Sequence, residues 1–429
     1  MSTVERQIAD RARKFKGEAL YSLYSFIDGQ LLQESYEQLN KQSAKGVDGK
    51  KWDGYGSEFA ERREVLLEEF KSGRYKAPAV RRVYIPKGKH GQRPIGIPTI
   101  EDKVLQTSVR RVLEPVYEKE FKEFSYGFRT GRTAHEAIEY LFKEVSFGKK
   151  HYIIDADITN YFGSINHRVL RNFLDKRIKD GVIRKMIDKW LKAGIMDLGN
   201  ISYPDEGTPQ GSAISPLLSN IYLHYVLDEW FSEQIQPLLK GKSFIIRWAD
   251  DFVLGFTDKS DAERVMAVLP KRFAKYGLAL HPDKTRLIDL NDNRGGQGRS
   301  FDFLGFSHFL SKSQKGHMVL KRKTSSKRLT RSIRHVNAYI RKNRHMKLRD
   351  LIAAINVKLR GHYNYYGVTF NSKSLKDFYK AVRYSLFKWL NRRGGKRRLN
   401  RDNYSNYVDK WIPLLTPYIR HSFVSLKQS

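Results

Sequence analysis

The stretch Phe244-Ile245-Ile246-Arg247-Trp248-Ala249-Asp250-Asp251-Phe252-Val253-Leu254 places two adjacent carboxylates in the middle of an apolar run. An ionised Asp inside an apolar strand has a desolvation cost of several kcal/mol unless its charge is paired or bound to a metal. Because apolar residues flank the pair on both sides, the pattern predicts a tight β-hairpin whose turn presents Asp250 and Asp251 at the sheet surface. An isolated Asp-Asp pair is also typical of an ordinary turn or a helix cap, so the pair alone leaves both interpretations open.

A second apolar run, Tyr152-Ile153-Ile154-Asp155-Ala156-Asp157-Ile158, has the same feature. Adjacent strands lie about 4.8 Å apart, so carboxylates on neighbouring strands can bracket one pair of ions. Oxygen ligands without His or Cys select Mg²⁺ over zinc, and two such ions about 3.5–4 Å apart serve in-line phosphoryl transfer. Asp155 shares a strand face with Asp157, and we expect it to pair with a nearby base rather than to bind metal.

Charge is distributed unevenly along the 429 residues, which contain 80 Lys or Arg and 46 Asp or Glu, a formal net charge of +34. Residues 311–429 contain 30 basic and four acidic residues, whereas the first 310 residues contain 50 basic and 42 acidic residues. This asymmetry favours a near-neutral catalytic part followed by a nucleic-acid-binding part, although a solvated charged surface is the alternative.

The composition also excludes several classes of protein. A hydrophobic share of 40% excludes a disordered chain, and the absence of cysteine excludes disulfides and thiolate zinc sites. No signal peptide and no run of 18 apolar residues is found, so we expect a soluble, cytoplasmic protein without membrane contacts.

Hydrophobic periodicity predicts helices near residues 1–45, 58–72, 102–120, 135–147 and 262–276. A loop over 87–94, crowded with positive charge, is predicted to join a strand ending at Pro86 to a strand beginning at Ile95. Beyond Leu304 the chain is predicted to be helical and basic to its end, with helices over 321–347 and 351–359. Aromatic residues alternate there with Lys and Arg, a composition that suits stacking on unpaired bases, but we expect most of these aromatics to be helix core.

Several motifs occur in the order found in a reverse transcriptase palm: Asp157-Ile158-Thr159-Asn160-Tyr161-Phe162, Gly207-Thr208-Pro209-Gln210-Gly211, Trp248-Ala249-Asp250-Asp251 and Phe303-Leu304-Gly305-Phe306. Four further motifs lie outside these palm motifs: Gly46-Val47-Asp48-Gly49, Arg82-Val83-Tyr84-Ile85-Pro86-Lys87, Ser125-Tyr126-Gly127-Phe128-Arg129 and Gly361-His362-Tyr363-Asn364-Tyr365-Tyr366-Gly367. With these motifs the chain resembles, over nearly its whole length, the reverse transcriptases and maturases encoded by bacterial group II introns.

The resemblance implies an α+β fold of the right-hand polymerase type, in which fingers and palm with antiparallel sheet are followed by an α-helical thumb and maturase region. The implied division is an N-terminal helical extension over 1–45, fingers over 46–150, a palm over 151–310 and a basic helical thumb and maturase (X) region over 311–429.

The resemblance also implies a catalytic centre. Asp157 and Asp250 would hold two Mg²⁺ ions, for which Mn²⁺ is a possible substitute, with Asp251 in support and the main-chain carbonyl of Ile158 as a further ligand. Lys284 matches a basic residue that could act as general acid toward the leaving pyrophosphate, and a solvated surface lysine is the alternative.

Nucleotide binding is implied at four further positions. Lys87 and Arg93 resemble the finger residues that grip the triphosphate of the incoming dNTP, although they could be ordinary loop charges. Phe162 matches the aromatic gate that excludes a ribose 2′-OH, although simple core packing is the alternative. Gln210 matches a residue lining the nucleotide pocket. Phe303, Leu304 and Gly305 resemble the primer grip.

The implied function is RNA-directed DNA synthesis from an RNA template and a DNA or RNA primer, combined with binding and splicing of a structured intron RNA or another dedicated non-coding RNA. We assign RNA anchoring to a cluster of five basic residues, Arg392, Arg393, Lys396, Arg397 and Arg398. Two alternatives stay open: a free-standing enzyme in phage defence or CRISPR spacer acquisition, and a maturase that only binds RNA.

The sequence departs from the family at two positions. Trp248 stands where Tyr is usual, and the larger indole is expected to alter fidelity or primer choice. Gly163 stands where Asp is frequent, which removes no metal ligand under this assignment.

Overall fold

The computed structural model describes residues 3–87, 91–197, 199–203, 205–291, 300–393 and 400–423, with only the backbone at Lys87, Tyr407 and Asp409. The helices of the described chain are α1 Thr3–Lys14, α2 Gly29–Glu37, α3 Trp52–Lys71, α4 Ile100–Tyr117, α5 Ala134–Ser146, α6 His167–Asp175, α7 Gly181–Leu191, α8 Ser215–Leu223, α9 Lys259–Ala274, α10 Ser326–Lys342, α11 Leu348–Tyr366, α12 Ser372–Leu390 and α13 Arg401–Tyr404. The strands are β1 Val80–Lys87, β2 Gly91–Ile97, β3 Tyr152–Asp157, β4 Ile195–Asp197, β5 Asn200–Ser202, β6 Ser243–Trp248, β7 Asp251–Phe256, β8 Arg286–Asp289, β9 Ser300–Phe303, β10 Phe306–Lys312 and β11 Met318–Thr324.

These strands form sheets of order β2-β1-β4-β5, β6-β7-β3-β8 and β11-β10-β9. In the first sheet β1 pairs antiparallel with β2 but parallel with β4, so this sheet is mixed. In the second sheet β7 and β3 are neighbours, and they carry the carboxylates that the sequence singled out. The α+β class is therefore confirmed.

The chain divides into two compact units. The first unit comprises Met1–Thr133, Ile154–Leu254 and Asp258–Arg286, and the second comprises Ala134–Ile153, Gly255–Thr257 and Leu287–Ser429. In the first unit α4 is buried on nearly every side, which is typical of a central core helix. The side chain of Thr99 caps this helix by accepting a hydrogen bond from the backbone of Asp102.

The second unit combines the β11-β10-β9 sheet with a bundle of α10, α11 and α12. The bundle core is formed mainly by aliphatic side chains spaced three or four residues apart, among them Ile340, Leu351, Ile355, Leu359, Leu375, Val382 and Leu386. Tyr363 and Phe378 belong to the same core, and Tyr366, Tyr379, Phe387 and Trp389 pack against it. The expectation that most aromatics of this region are helix core is thus confirmed.

The prediction of an all-helical chain beyond Leu304 is wrong. Strands β10 and β11 occupy much of that stretch, and the helix predicted over 321–347 begins only at Ser326. Arg322 on β11 is fully buried, with its guanidinium over the rings of Phe142 and Phe423. A basic residue that faces a core through cation–π contacts does not follow the usual apolar alternation of a strand.

The predicted basic loop is also shorter than expected, because β1 continues to Lys87 and β2 already begins at Gly91. Pro94 lies within β2, opposite Tyr84. Since β2 is the edge strand of its sheet, the missing N–H of a proline is tolerated there.

Candidate active site

The hairpin predicted around the paired aspartates is present. Strand β6 ends at Trp248, β7 begins at Asp251, and only Ala249 and Asp250 lie between them. Ala249 adopts φ 57°, the left-handed region, which matches the right-handed twist of the flanking strands but costs a non-glycine residue about 1–2 kcal/mol. Asp250 and Asp251 are both half-buried. The surrounding structure must therefore hold the turn in this conformation.

A buried ion pair behind the turn supplies part of that restraint. The guanidinium of Arg247 donates to both carboxylate oxygens of Asp228, at 2.8 and 2.6 Å, and both side chains are fully buried. Its remaining nitrogen donates to Asn220 Oδ1 at 2.9 Å and to the main-chain oxygen of Ala249 at 3.0 Å. Arg247 thus connects a buried carboxylate directly to the backbone of the turn.

Gly127 packs against the same turn. A Cβ atom at position 127 would lie 2.3 Å from the backbone nitrogen of Ala249 and 2.8 Å from the carbonyl carbon of Trp248. The oxygen of Gly127 accepts a hydrogen bond of 2.7 Å from the side chain of Asn220, and the neighbouring Tyr126 nitrogen donates to the oxygen of Arg247 at 2.9 Å. Only glycine allows the two segments to approach this closely.

Asp157 ends β3, the neighbour of β7, and its side chain is 39% exposed. Lys284 donates to Asp157 Oδ2 at 2.5 Å, so the ammonium lies directly against this carboxylate. The next residue, Ile158, forms a bridge with Leu280 and is buried. The structure therefore brings Lys284 to Asp157, as its proposed role beside the reacting phosphates requires.

The donor set suits a hard cation, since it consists of carboxylate oxygens at the end of a sheet without Cys or His. As the side chains stand, however, no three His, Asp or Glu groups among the described residues are gathered closely enough to hold an ion. Lys284 supplies the positive charge beside Asp157 in this arrangement. Asp155 pairs with Arg286 at 3.5 Å, the basic partner expected for it.

Phe162 lies in a 3₁₀ turn over Tyr161–Ser164 and is half-buried. Its main-chain oxygen accepts a hydrogen bond of 2.7 Å from Thr208, which ties this turn to the loop that carries Gln210. At Gly163 a Cβ would lie 2.4 Å from the side-chain amide of Asn160. A larger residue at position 163 would therefore have to displace the side chain of Asn160.

Gln210 lines a cavity of about 260 Å³ in the first unit, together with Arg82, Asn160 and Gly163. The main-chain oxygen of Gln210 accepts a hydrogen bond of 2.7 Å from Gly96 on β2, so the loop is fixed to the β1–β2 hairpin. Arg82 belongs to one of the family motifs, but the sequence assigned it no role at this cavity. Its half-buried position on a strand beside the loop is set by the tertiary fold.

The proposed triphosphate residues lie on the same hairpin. Arg93 is exposed on β2, opposite Ile85 of β1. The backbone of Lys87 ends β1, and its side chain lies outside the described residues. Lys87 and Arg93 thus both lie on the β1–β2 hairpin. The structure describes the side chain of Arg93 only.

The proposed primer grip belongs to the second unit, where Leu304 and Gly305 form the two-residue turn between β9 and β10. Their φ values of 52° and 81° are those of a type I′ hairpin turn. Phe303 is buried, and the oxygen of Leu304 accepts a hydrogen bond of 2.8 Å from the hydroxyl of Tyr365. The motif that contains Tyr365 therefore restrains the turn.

The proposed RNA anchor is described only in part, because Lys396, Arg397 and Arg398 lie outside the described residues. Arg392 is exposed and stacks over the Trp389 ring at 5.1 Å. Arg393 donates to the main-chain oxygen of Met346 at 2.9 Å, and burial lowers its pKa. Of these two, Arg392 has the freer access to solvent.

Comparison with known sequences identifies the chain. A model of the family described as reverse transcriptase (RNA-dependent DNA polymerase) matches residues 85–308, more than half of the sequence. The group II intron maturase-specific domain matches residues 326–408. The chain belongs to the group II intron reverse transcriptase/maturase family. It therefore carries an RNA-directed DNA polymerase domain, of a family that depends on divalent metal ions and copies RNA templates, followed by a maturase domain.

Individual relatives agree with this assignment. Protein YkfC of Escherichia coli (strain K12) is 33% identical over 309 residues, covering 64% of this chain and 78% of YkfC. The group II intron-encoded protein LtrA of Lactococcus lactis subsp. cremoris is 38% identical over 183 residues, covering 42% of this reverse transcriptase and 30% of LtrA. A putative COX1/OXI3 intron 1 protein of Saccharomyces cerevisiae is 25% identical over 392 residues, covering 75% and 47%. The matched region is thus less than half the length of either intron-encoded relative.

The supporting residues Asp228, Asn220 and Gly127 were not predicted from the sequence. Arg247 offered a signal, because a lone cation inside an otherwise apolar strand needs a buried partner. Nothing local identified that partner as Asp228, which lies in a π-helical turn over His224–Asp228 after α8. Gly127 belongs to one of the family motifs, but its contact with the turn, like that of Asn220 with Arg247, is set by the tertiary fold.

The described helices include none that is both long and apolar enough to cross a bilayer.

Proposed function

We propose that this reverse transcriptase extends a DNA or RNA primer on an RNA template with dNTPs, using two Mg²⁺ ions held by Asp157, Asp250 and Asp251. The observation that carries the proposal is the position of Asp250 in the β6–β7 turn and of Asp251 at the start of β7, next to the strand that ends in Asp157. This position lies within the region matched by the reverse transcriptase family. Residues 1–45, 46–150, 151–310 and 311–429 remain our proposed division into extension, fingers, palm and thumb with maturase region.

The bound ions would polarise the reacting phosphate and stabilise its developing charge. Asp157 and Asp250 would bind them in this proposal, with Asp251 in support at the same site, and the main-chain carbonyl of Ile158 would add a ligand. A metal ion at Asp157 would compete with the contact between Lys284 and this carboxylate, because it would repel the ammonium. Lys284, which lies beside Asp157, is the residue that would donate a proton to the leaving pyrophosphate in this proposal.

The remaining nucleotide residues act on the two ends of the dNTP. Lys87 and Arg93 attract the triphosphate from the β1–β2 hairpin, where cations stabilise negative charge. Phe162 lies beside the sugar and excludes a 2′-OH by collision, which its half-buried position supports. Gln210 borders the base and sugar from the cavity that it shares with Arg82.

The maturase domain and the basic second unit bind the RNA partner in this proposal. Most of the chain's net positive charge lies after residue 310. This concentration of charge favours phosphate binding without sequence preference. We propose a structured group II intron RNA as the partner and splicing of that RNA, in the cytoplasm, as the second activity. The described turn of Phe303, Leu304 and Gly305 would position the primer end, and Arg392 with its four basic neighbours in sequence would anchor the RNA.

The decisive experiment is primer extension by the full chain with Mg²⁺, an RNA template, an annealed primer and dNTPs. The double variant D250A/D251A should lose cDNA synthesis by about a thousandfold or more, since metal ions contribute several kcal/mol to phosphoryl transfer. D250N keeps the side-chain volume and should also be strongly impaired. D10N, which neutralises an exposed carboxylate on α1, serves as the matched control and should leave synthesis unchanged.

Near wild-type synthesis by D250A/D251A would contradict the site assignment. Synthesis with NTPs but not with dNTPs by the unmodified chain would contradict the proposed product instead.

A further inference from the structure

A groove in the second unit lies between helix α12 and a segment over 413–417 that has no regular secondary structure. Its volume is about 560 Å³, within the range of sites that hold small organic ligands. The helix contributes Lys376, Tyr379, Lys380 and Arg383, and the segment contributes Pro413, Leu414, Thr416 and Pro417. Neither the polymerase site nor the basic cluster at residues 392–398 includes any of these residues.

The cations of the groove lie on one side of α12. Lys376, Lys380 and Arg383 are spaced by four and three residues, so they project from the same face over about 10 Å of helix. The two lysines are exposed, and no described carboxylate forms an ion pair with either of them. Asp377, the acid next to Lys376 in sequence, is not among the lining residues. The groove therefore attracts a polyanion.

Exposed aromatic rings accompany this charge. Trp411 is 81% exposed and precedes the lining residue Pro413 by two positions, and Tyr384 is 66% exposed and directly follows Arg383. Large aromatic side chains are mostly buried in folded proteins, and the other aromatics of this bundle follow that rule. Exposed rings that lie close in sequence to a row of cations match surfaces that bind single-stranded nucleic acid, where bases stack on rings and phosphates contact Lys or Arg.

We propose that this groove, defined by its eight lining residues, binds an unpaired stretch of the RNA partner, with Trp411 and Tyr384, its neighbours in sequence, offering rings for stacking. The inference rests on the proposed RNA-binding function and assigns it a specific subsite. Unpaired RNA is favoured over a duplex because bases within an A-form helix are already stacked and their faces are unavailable to Trp411. An acidic protein partner would account for the exposed Lys376 and Lys380 but not for the exposed indole of Trp411.

The test uses the full chain and a labelled 12-nucleotide RNA of alternating A and C, which cannot pair with itself. Trp411→Ala should weaken binding about five- to 150-fold, the effect of losing one base–aromatic stack. Trp411→Phe should retain most of the affinity because it keeps a ring. Since Trp411 is largely exposed, neither substitution should disturb folding, which thermal unfolding can verify.

The charge contribution is tested with K376Q/K380Q, which should weaken binding and reduce the slope of log affinity against log salt by about 1.4, or 0.7 for each phosphate that is no longer neutralised. The matched control is K271Q/K275Q, which removes two exposed lysines of the same spacing at the end of α9 in the first unit. That control should leave the slope unchanged.

Equal affinity of W411A and the unmodified chain for the single strand, or a greater loss for a hairpin duplex than for the single strand, would overturn the proposal. An affinity for the single-stranded RNA that K376Q/K380Q leaves unchanged would also overturn the proposal. Primer extension is measured in parallel: if the unmodified chain makes no cDNA while the groove variants still lose RNA affinity, the polymerase proposal fails and the groove stands.

Discussion

Gly127→Ala offers a direct test of how the proposed catalytic turn, Ala249 and Asp250, is held. The added methyl group would lie 2.3 Å from the backbone nitrogen of Ala249, whereas ordinary van der Waals contact begins near 3.4 Å. The turn or the segment carrying residue 127 must therefore move by about 1 Å, because both contact atoms at the turn belong to the backbone and no flexible side chain can give way. Overpacking of this kind typically costs about 1–3 kcal/mol of stability.

A loss of 1–3 kcal/mol leaves most of a domain with ordinary stability folded at 25 °C. The effect on chemistry should be larger, since a displacement of about 1 Å in a catalytic site reduces rates about a hundredfold. We expect G127A to lower the rate of single-nucleotide incorporation by about two orders of magnitude while urea unfolding shows a mostly folded protein. Affinity for the primer–template should change little by comparison.

The matched control is Gly54→Ala on α3, also in the first unit. No atom lies within 4 Å of the point that a Cβ would occupy there, and the residue is helical, so alanine should raise stability by up to about 1 kcal/mol. G54A should therefore polymerise normally. If G127A incorporates nucleotides within threefold of the unmodified rate, or if its loss of rate matches only its unfolded fraction, the close approach at Gly127 does not position the aspartates.

Three further changes test neighbouring parts of the first unit. Phe162→Val should raise ribonucleotide incorporation relative to dNTP incorporation, whereas an unchanged preference in single-nucleotide assays would mean that Phe162 only packs. Asp228→Asn should lower the urea-derived free energy of unfolding by about 3–5 kcal/mol, because it leaves the buried Arg247 charge without a counter-ion; a loss below 1 kcal/mol would contradict this role. Asp102 is buried and its pKa is raised from 3.8 to about 7 by desolvation. The pKa of Asp102 is higher in the folded than in the unfolded chain, so the stability that its neutral form contributes is lost as pH rises from about 4 to 7. The free energy of unfolding of the unmodified chain, measured relative to that of D102N, should therefore fall by about 1 kcal/mol per pH unit between pH 4 and 7. Above pH 7 this difference should stay constant.

The hairpin that carries Asp250 and Asp251 was predictable because its pattern is local. Apolar residues on both sides of Asp250 and Asp251 determine two strands and a turn, and the structure has them where the sequence placed them. The neighbouring position of Asp157 was expected from its own apolar strand together with the family resemblance. Such features depend on alternation within ten or so residues, which a sequence displays directly.

The strands beyond Leu304 were not predictable in the same way. The sequence predicted helices throughout this region, and the burial of Arg322 becomes understandable only when Phe142 and Phe423, both distant in sequence, supply its aromatic contacts. Burial lowers the pKa of Arg322 to about 9, a further sign that its environment is not that of a surface residue. Tertiary contacts therefore override the local preference at this position.

The network behind the turn illustrates the same limit at the active site. Exchanging a buried ion pair for apolar residues of similar volume is often neutral or stabilising, so overall stability alone does not account for Arg247 and Asp228. An apolar pair, however, could not donate to the main-chain oxygen of Ala249, whose left-handed conformation is unfavourable for alanine. Asp228 orients the guanidinium of Arg247 through two hydrogen bonds, and the guanidinium donates to the main-chain oxygen of Ala249 in the turn. The pair is therefore best explained by the geometry that it imposes on Asp250 and Asp251, and combining Arg247→Met with Asp228→Leu should separate the two effects by preserving stability while reducing the incorporation rate.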